Sequence, residues 1–141
     1  MKTSANIGTI MLKKIIILLN LIVCVATFAD EKTPVFNSPK EKIVVSQKQP
    51  TFTITLQSNP TTGFSWKLGK YDSKLVSFVS QQHVTPKNKK LMGAPGYDVW
   101  TFKAIKATYR VNQVGHITLI YARPWTKDGA TKATFMIMVK K

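Results

Sequence analysis

Hydrophobic and polar residues alternate along most of the chain after residue 41, with the two-residue period of a β-strand. The clearest case is the segment TFTITLQ at 51–57, where Phe52, Ile54 and Leu56 fall on one face and threonines on the other. No window of ten residues in this part of the sequence carries apolar side chains at the spacing of an amphipathic helix. The pattern therefore predicts an all-β fold.

Seven short strands follow from this alternation, separated by segments rich in turn residues. They span 42–46, 51–57, 64–68, 75–80, 98–107, 116–121 and 133–139. Trp66 and Trp100 fall at inward positions of two of these strands. Such a set is typical of an immunoglobulin-like antiparallel β-sandwich or barrel. The cysteine pair of antibody domains is missing, because Cys24 is the only cysteine in the sequence.

The N-terminal residues follow a different pattern, in which two lysines precede an apolar run at 15–28. Thr27 and Ala29 supply the small residues that mark a signal-peptidase cleavage site. The run is short for a membrane span, which needs about 20 apolar residues. We therefore expect residues 1–29 to be a signal peptide that is cleaved after Ala29, which makes the protein periplasmic or secreted.

Two alternatives for this leader stay open: a helix that tethers the protein to the membrane, and a lipoprotein leader with the lipid on Cys24. Val23 is larger than the small residue that usually precedes a lipid-modified cysteine, so cleavage after Ala29 is favoured. Downstream, residues 30–41 predict a linker or a loose N-terminal strand, and residues 42–141 predict one domain. The mature chain has no cysteine, so the stability of this domain rests on its hydrophobic core.

The chain is strongly basic, with 21 lysine and arginine residues, six acidic residues and a net charge of +15. Three of the basic residues and none of the acids precede Asp30, which leaves 18 basic residues and a net charge of +12 on the mature chain. Such a charge favours anionic surroundings. The basic residues are scattered, however, which is more typical of solubility and of protected strand edges than of a polyanion site.

The residues needed for catalysis are too few and too dispersed to predict an enzyme. The mature chain has no cysteine nucleophile, and its two histidines, His83 and His116, lack the further ligands of a zinc site. No glycosidase-like acidic pair, nucleophile elbow or phosphate-binding glycine loop is present. We interpret His116 as a residue on a sheet face and His83 as a loop residue, and we expect neither a cofactor nor a metal.

Three long connections emerge at one end of the predicted sandwich, because successive connections between antiparallel strands alternate between its two ends. We name them the first loop (58–63), the second loop (81–97) and the third loop (122–132). Loops on a rigid scaffold are a usual place for binding residues. The candidate site is therefore the end of the sandwich that these loops form.

The first loop is uncharged and conformationally restricted. Pro60 fixes its own φ angle and favours an extended conformation at Asn59. Gly63 allows a positive φ directly before the next strand. The hydroxyl groups of Thr61 and Thr62 can bond to neighbouring backbone groups. These residues predict a stiff, neutral projection.

The other two loops carry different recognition features. In the second loop, Gly93 and Gly96 flank an Ala-Pro pair and allow the backbone to approach a partner closely. In the third loop, Arg123, Pro124 and Trp125 follow a strand, and the indole falls outside the alternation of that strand. An exposed tryptophan beside an arginine is typical of binding hot spots. The alternative is a tryptophan that folds back over the end of the sandwich.

Three motifs in this order, NPTTGF, GAPG and RPW, resemble those of the chagasin family of cysteine-protease inhibitors, over roughly residues 44–140. The resemblance implies an immunoglobulin-like inhibitor of papain-like proteases, with the first loop over the catalytic cysteine, the second on the non-primed side and Trp125 on the primed side. The protease-binding residues that it implies are Asn59, Pro60, Thr61, Thr62, Gly63, Phe64, Gly93, Ala94, Pro95, Gly96, Arg123, Pro124 and Trp125.

The predicted function is reversible inhibition of papain-like cysteine proteases by a monomer. We expect no nucleic acid partner and no stable insertion of the mature domain into a membrane. The alternative is a basic immunoglobulin-like adhesion or envelope-binding module. The two differ in their response to salt, because a polyanion binder loses affinity steeply as salt rises and a neutral-loop inhibitor does not.

Overall fold

The computed structural model describes residues 32–85, 95–126 and 128–141, so the predicted leader and its cysteine lie outside the described residues. The residues from Thr33 to Lys141 form one compact unit. Within the described ranges, the helical structure is limited to one 3-10 turn at Pro60–Thr62. None of this described structure is a helix long and apolar enough to cross a membrane.

Eight β-strands build the described part of the chain into two four-stranded sheets. They are β1 (Val35–Phe36), β2 (Ile43–Val45), β3 (Thr51–Ser58), β4 (Ser65–Tyr71), β5 (Val76–Val84), β6 (Gly96–Ala104), β7 (Gln113–Ala122) and β8 (Thr131–Val139). The strand order is β1-β3-β6-β5 in one sheet and β2-β8-β7-β4 in the other. The long strands pair antiparallel, whereas the short β1 and β2 pair parallel with β3 and β8. The predicted all-β immunoglobulin-like architecture is confirmed, with two short parallel pairings at its edges.

The hydrophobic core is built from the alternate residues that the sequence pattern placed inward. Phe52, Ile54 and Leu56 of β3 are buried, as are Trp100 and Phe102 of β6. The rings of Phe52 and Phe102 stack across these neighbouring strands at 5.8 Å. Burial of each large apolar side chain stabilises the fold by roughly 1.5–3 kcal/mol, so a continuous core can hold the loops without a disulfide.

Strand β5 is longer than the alternation predicted. It was expected at 75–80 and runs over Val76–Val84, and β6 begins at Gly96, so residues 81–84 and 96–97 of the predicted second loop belong to strands. The interpretation of His83 as a loop residue is therefore wrong, because His83 belongs to the strand. The alternation did not predict the C-terminal half of β5, because most side chains of this edge strand are exposed. On such a strand, polar and apolar residues do not mark an outer and an inner face.

His83 forms a hydrogen bond with Asp98, which lies directly opposite on β6. The histidine Nδ1 is 2.6 Å from the carboxylate Oδ1, and the aspartate side chain is only 5% exposed. A buried polar side chain destabilises a protein unless it is hydrogen-bonded. The pair therefore joins β5 to β6 close to the point where these two strands carry the second loop.

Candidate functional site

The first loop folds into a single 3-10 turn. Its backbone is closed by hydrogen bonds from the Thr62 N–H to the Asn59 carbonyl (3.2 Å) and from the Gly63 N–H to the Pro60 carbonyl (2.9 Å). Pro60 stands in the first turn, where its fixed φ suits the helix and its missing N–H leaves no unpaired donor. The predicted stiffness of this segment therefore has a definite form, which is a hydrogen-bonded turn.

Two threonine hydroxyls strengthen this turn by bonding back to Asn59, the residue directly before it. Thr61 Oγ1 donates to Asn59 Oδ1 at 2.6 Å, and Thr62 Oγ1 donates to the Asn59 carbonyl at 2.7 Å. Both threonines are exposed, so these bonds are formed on a projecting surface and not in the core. Fewer accessible conformations in the free protein mean less conformational entropy to lose when a partner binds.

Gly63 ends the turn in the left-handed conformation that the sequence predicted, with φ of 78°. This conformation is unfavourable for residues that carry a Cβ. A Cβ on Gly63 would also lie 2.8 Å from Cη2 of Trp125 in the third loop. The first and third loops are therefore in direct contact, and glycine is required both for the turn and for the approach of the indole.

Trp125 is 73% exposed, the largest exposed fraction among the large apolar side chains described as exposed. The prediction of an indole near solvent is confirmed, and the tryptophan is not folded into the core. Only the outer edge of its six-membered ring approaches Gly63. Most of the indole surface is thus available to a partner, beside an already formed turn.

Arg123 of the third loop also contacts the first loop and Phe64. Its Nε donates to the carbonyl of Thr62 at 3.3 Å, and its guanidinium lies over the ring of Phe64 with a distance of 4.5 Å to the ring centroid. Phe64 in turn stacks on Tyr121 with the ring centroids 5.3 Å apart. Arg123 and Phe64, both predicted as protease-binding residues, therefore support the shape of the loops within the free protein.

Tyr121 supports the first loop, and the sequence analysis missed it. Its hydroxyl accepts a hydrogen bond from the N–H of Asn59 at 3.1 Å, and Trp66 packs on its ring at 5.0 Å. Trp66 is partly buried against the core and donates from Nε1 to the carbonyl of Gln57 at 2.9 Å. The tyrosine lies two residues before Arg123, so an aromatic residue at the end of the strand that carries the RPW motif was the available signal.

The second loop meets the first where β6 begins. Gly96 is buried and pairs with Ser58, the last residue of β3. A Cβ on Gly96 would lie 2.5 Å from the carbonyl oxygen of Val84, so the close approach of β5 requires glycine here. Pro95 is exposed beside this junction. Gly93 and Ala94 lie outside the described residues.

The predicted site residues that the structure describes are neutral except for one cation. That cation is Arg123. The described ranges contain no group of three histidine, cysteine, aspartate or glutamate side chains that could hold a metal ion. The arrangement offers backbone groups, threonine hydroxyls and one large exposed indole, which suits it to recognition of a protein surface.

Comparison with known proteins agrees with this geometry. The family model described as "Chagasin family peptidase inhibitor I42" matches residues 46–139. The chain is 37% identical to chagasin of Trypanosoma cruzi, over 62% of this chain and 77% of chagasin. It is 36% identical to amoebiasin-1 of Entamoeba histolytica, over 61% of this chain and 76% of amoebiasin-1.

A solved structure shares the fold. The crystal structure of the cysteine protease inhibitor EhICP2 from Entamoeba histolytica superposes with a TM-score of 0.59 and 19% sequence identity. The superposition covers 77% of this chain and 95% of EhICP2. The family match spans most of the described sandwich, from the end of β2 to the end of β8, and it includes all three loops. The chain therefore belongs to the chagasin family of peptidase inhibitors.

Proposed function

We propose that the protein is a reversible inhibitor of papain-like cysteine proteases and that its three loops enter the active-site cleft. The observation that carries this proposal is the preassembled loop end, where the contact of Gly63 with Trp125 and the bond from Arg123 to Thr62 fix two of the loops together. Family membership adds the class of activity, because the chagasin resemblance implies papain-like targets.

A loop that enters a protease cleft must be narrow, neutral and difficult to cleave. The 3-10 turn meets the first two requirements, since it is three residues long and carries no charge. Its hydrogen bonds also hold the backbone in a helical conformation, whereas cleavage requires a carbonyl placed for attack by a thiolate. The turn should therefore cover the catalytic cysteine without being cleaved.

Each loop has a separate role in this proposal. The turn from Asn59 to Gly63 covers the catalytic cysteine, Pro95 and Gly96 belong to the loop on the non-primed side, and Trp125 stacks against the primed side. Arg123 and Phe64 hold the first and third loops at a fixed separation, as the free protein already shows. Binding then requires little rearrangement, which lowers its entropic cost.

Titration of papain with purified residues 30–141, which include the whole compact unit, tests this function. We expect residual activity to fall close to zero near an equimolar ratio, and mass spectrometry should show an intact inhibitor afterwards. Full papain activity at a large excess of the protein would contradict the proposal. Rapid cleavage between residues 58 and 63 would also contradict it, because the loop would then be a substrate.

The basic adhesion module remains the second candidate, on the basis of the net charge of +12 on the mature chain. The scattered lysines give it no defined site, and the described loop end is nearly neutral. A module of that kind would lose binding steeply as salt rises, because cation–polyanion binding releases counterions. Binding to papain that persists at high salt favours the inhibitor.

We further propose that the protein is exported, to a periplasmic or extracellular location, after cleavage behind Ala29. Support comes from the basic, apolar and small-residue segments of the leader in the sequence. Mass spectrometry of the protein from its native cells should give a mature chain that starts at Asp30. A lipid-modified N-terminal Cys24 would show instead that the protein is a lipoprotein. An uncleaved N-terminus would show instead that the leader tethers the protein to the membrane.

A further inference from the structure

A groove beside Trp125 extends the loop end onto the outer face of the sheet formed by β4, β7 and β8. Its lining includes Lys67, Ile120, Ala122, Pro124, Trp125 and Lys132. Arg123 also lines it, with its guanidinium over the ring of Phe64 and its Nε bonded to the carbonyl of Thr62. Ile120 and Ala122 face outward, because they alternate along β7 with the buried Leu119 and its inward neighbours. The groove thus has an apolar floor, and it shares one wall with the third loop.

Two lysines flank this floor. Strand register places Lys67 opposite Ile120 from β4, and it places Lys132 opposite Ile120 from β8. Both lysines are exposed, and neither forms a salt bridge with a carboxylate within the described residues. None of the residues that line the groove is acidic. Two lysines with no carboxylate partner among the described residues therefore border an apolar floor, and the third cation, Arg123, is already engaged by the first loop and Phe64.

We propose that this lysine-flanked groove binds an acidic segment on the surface of the target protease, next to the cleft that the loops occupy. The inference rests on the proposed function, because the groove continues the surface of Pro124 and Trp125. A partner that covers the exposed indole of Trp125 also reaches the groove. The positive charge of the two lysines then selects a partner segment that carries carboxylates.

The chemistry of the groove favours a segment with one apolar side chain between acidic ones. The apolar side chain would rest on Ile120, and carboxylates on either side would meet the ammonium groups of Lys67 and Lys132. Charges at the rim of an interface act mainly on association rate and on the choice between partners. The groove would therefore discriminate among papain-like proteases, whereas the loops recognise the cleft common to all of them.

Charge reversal at both lysines tests the groove, with papain as the probe. The variant Lys67→Glu/Lys132→Glu should associate with papain about tenfold more slowly than the wild type at low salt. The difference should shrink as salt rises, because exposed charges are screened. Stopped-flow measurements over a series of salt concentrations give both quantities.

A matched variant separates the groove from the overall charge of the protein. Lys103→Glu/Lys140→Glu removes the same amount of charge from two exposed lysines that do not line the groove. It should associate with papain nearly as fast as the wild type, within about twofold. If reversal unfolds the groove variant, Lys67→Ala/Lys132→Ala replaces it, with Lys103→Ala/Lys140→Ala as control and about a threefold slowing as the expected effect.

Zero-length carbodiimide cross-linking of the papain complex tests the contact directly, because it joins lysine amines only to carboxylates that touch them. We expect mass spectrometry to find Lys67 or Lys132 joined to an aspartate or glutamate of papain. Equal association rates for the two double variants, or cross-links through other lysines alone, would overturn the proposed binding at the groove. Inhibition of papain by the wild type would still support the proposed function in that case.

Discussion

Replacement of Trp125 by alanine should weaken inhibition of papain by about 2–4 kcal/mol, a loss of roughly 30- to 1,000-fold in affinity. The indole is 73% exposed in the free protein, so most of its apolar surface is buried only when a partner binds. Truncation of an exposed aromatic anchor removes this burial, and it leaves the core of the sandwich intact. Inhibition constants of the wild type and the variant measure the loss.

Thermal unfolding provides the control for this variant. Because the side chain is exposed, Trp125→Ala should change the free energy of unfolding by about 0.5 kcal/mol or less. A variant that unfolds at a much lower temperature would show that the indole supports the fold. A folded variant that inhibits papain as well as the wild type would remove the third loop from the protease-binding surface.

Replacement of Gly63 by alanine should also weaken inhibition, by on the order of tenfold or more, for two separate reasons. The backbone of Gly63 has a φ of 78°, and a residue with a Cβ in this conformation costs roughly 1–2 kcal/mol. The new methyl group would also lie 2.8 Å from Cη2 of Trp125 and would displace the indole. Inhibition constants and thermal unfolding together separate the loss of fit from the loss of stability.

Gly129 offers a matched control for this prediction. It has a similar φ of 73°, but a Cβ there would meet its nearest neighbour, the Phe64 ring, at an ordinary 3.6 Å. Gly129→Ala should therefore share the backbone strain of Gly63→Ala and keep most of the inhibition. The effects of Gly63→Ala and Trp125→Ala should not add in the double variant, because the clash disappears with the indole. Equal losses from Gly63→Ala and Gly129→Ala would contradict a role of the contact between Gly63 and Trp125 in inhibition. Full additivity of Gly63→Ala and Trp125→Ala would contradict it as well.

The inward face of the sandwich could be predicted from the sequence because alternation reports burial directly. Phe52, Ile54 and Leu56 are buried as expected, and the same holds for Trp100 and Phe102 on the neighbouring strand. The pattern works on central strands, where one face is always covered. It fails at the edges, where exposure on both faces removes the contrast between apolar and polar positions.

The parallel pairing of the two shortest strands could not be predicted either. The alternation predicted a strand at 42–46, where β2 lies at Ile43–Val45, and it left 30–41 as a linker or a loose strand, where β1 lies at Val35–Phe36. The direction in which they pair depends on where the chain enters each sheet, which is a tertiary property. The same limit applies to the His83–Asp98 pair, because it depends on the register between β5 and β6.

The sequence predicted where the candidate site lies, but it did not predict the contacts between the loops that form it. The positive φ of Gly63 and the exposure of Trp125 follow from local chemistry, and both are found in the structure. The contact between these residues depends on tertiary placement, as do the bond from Arg123 to the first loop and the support from Tyr121. A residue predicted to touch the partner can therefore act instead by holding another loop in place.

Competition with substrate in the papain assay tests the central claim most directly. If the loops fill the active-site cleft, the apparent inhibition constant of residues 30–141 rises linearly with substrate concentration, and full activity returns when the complex is diluted. Inhibition that is independent of substrate concentration would contradict the claim, because the inhibitor would then bind outside the cleft.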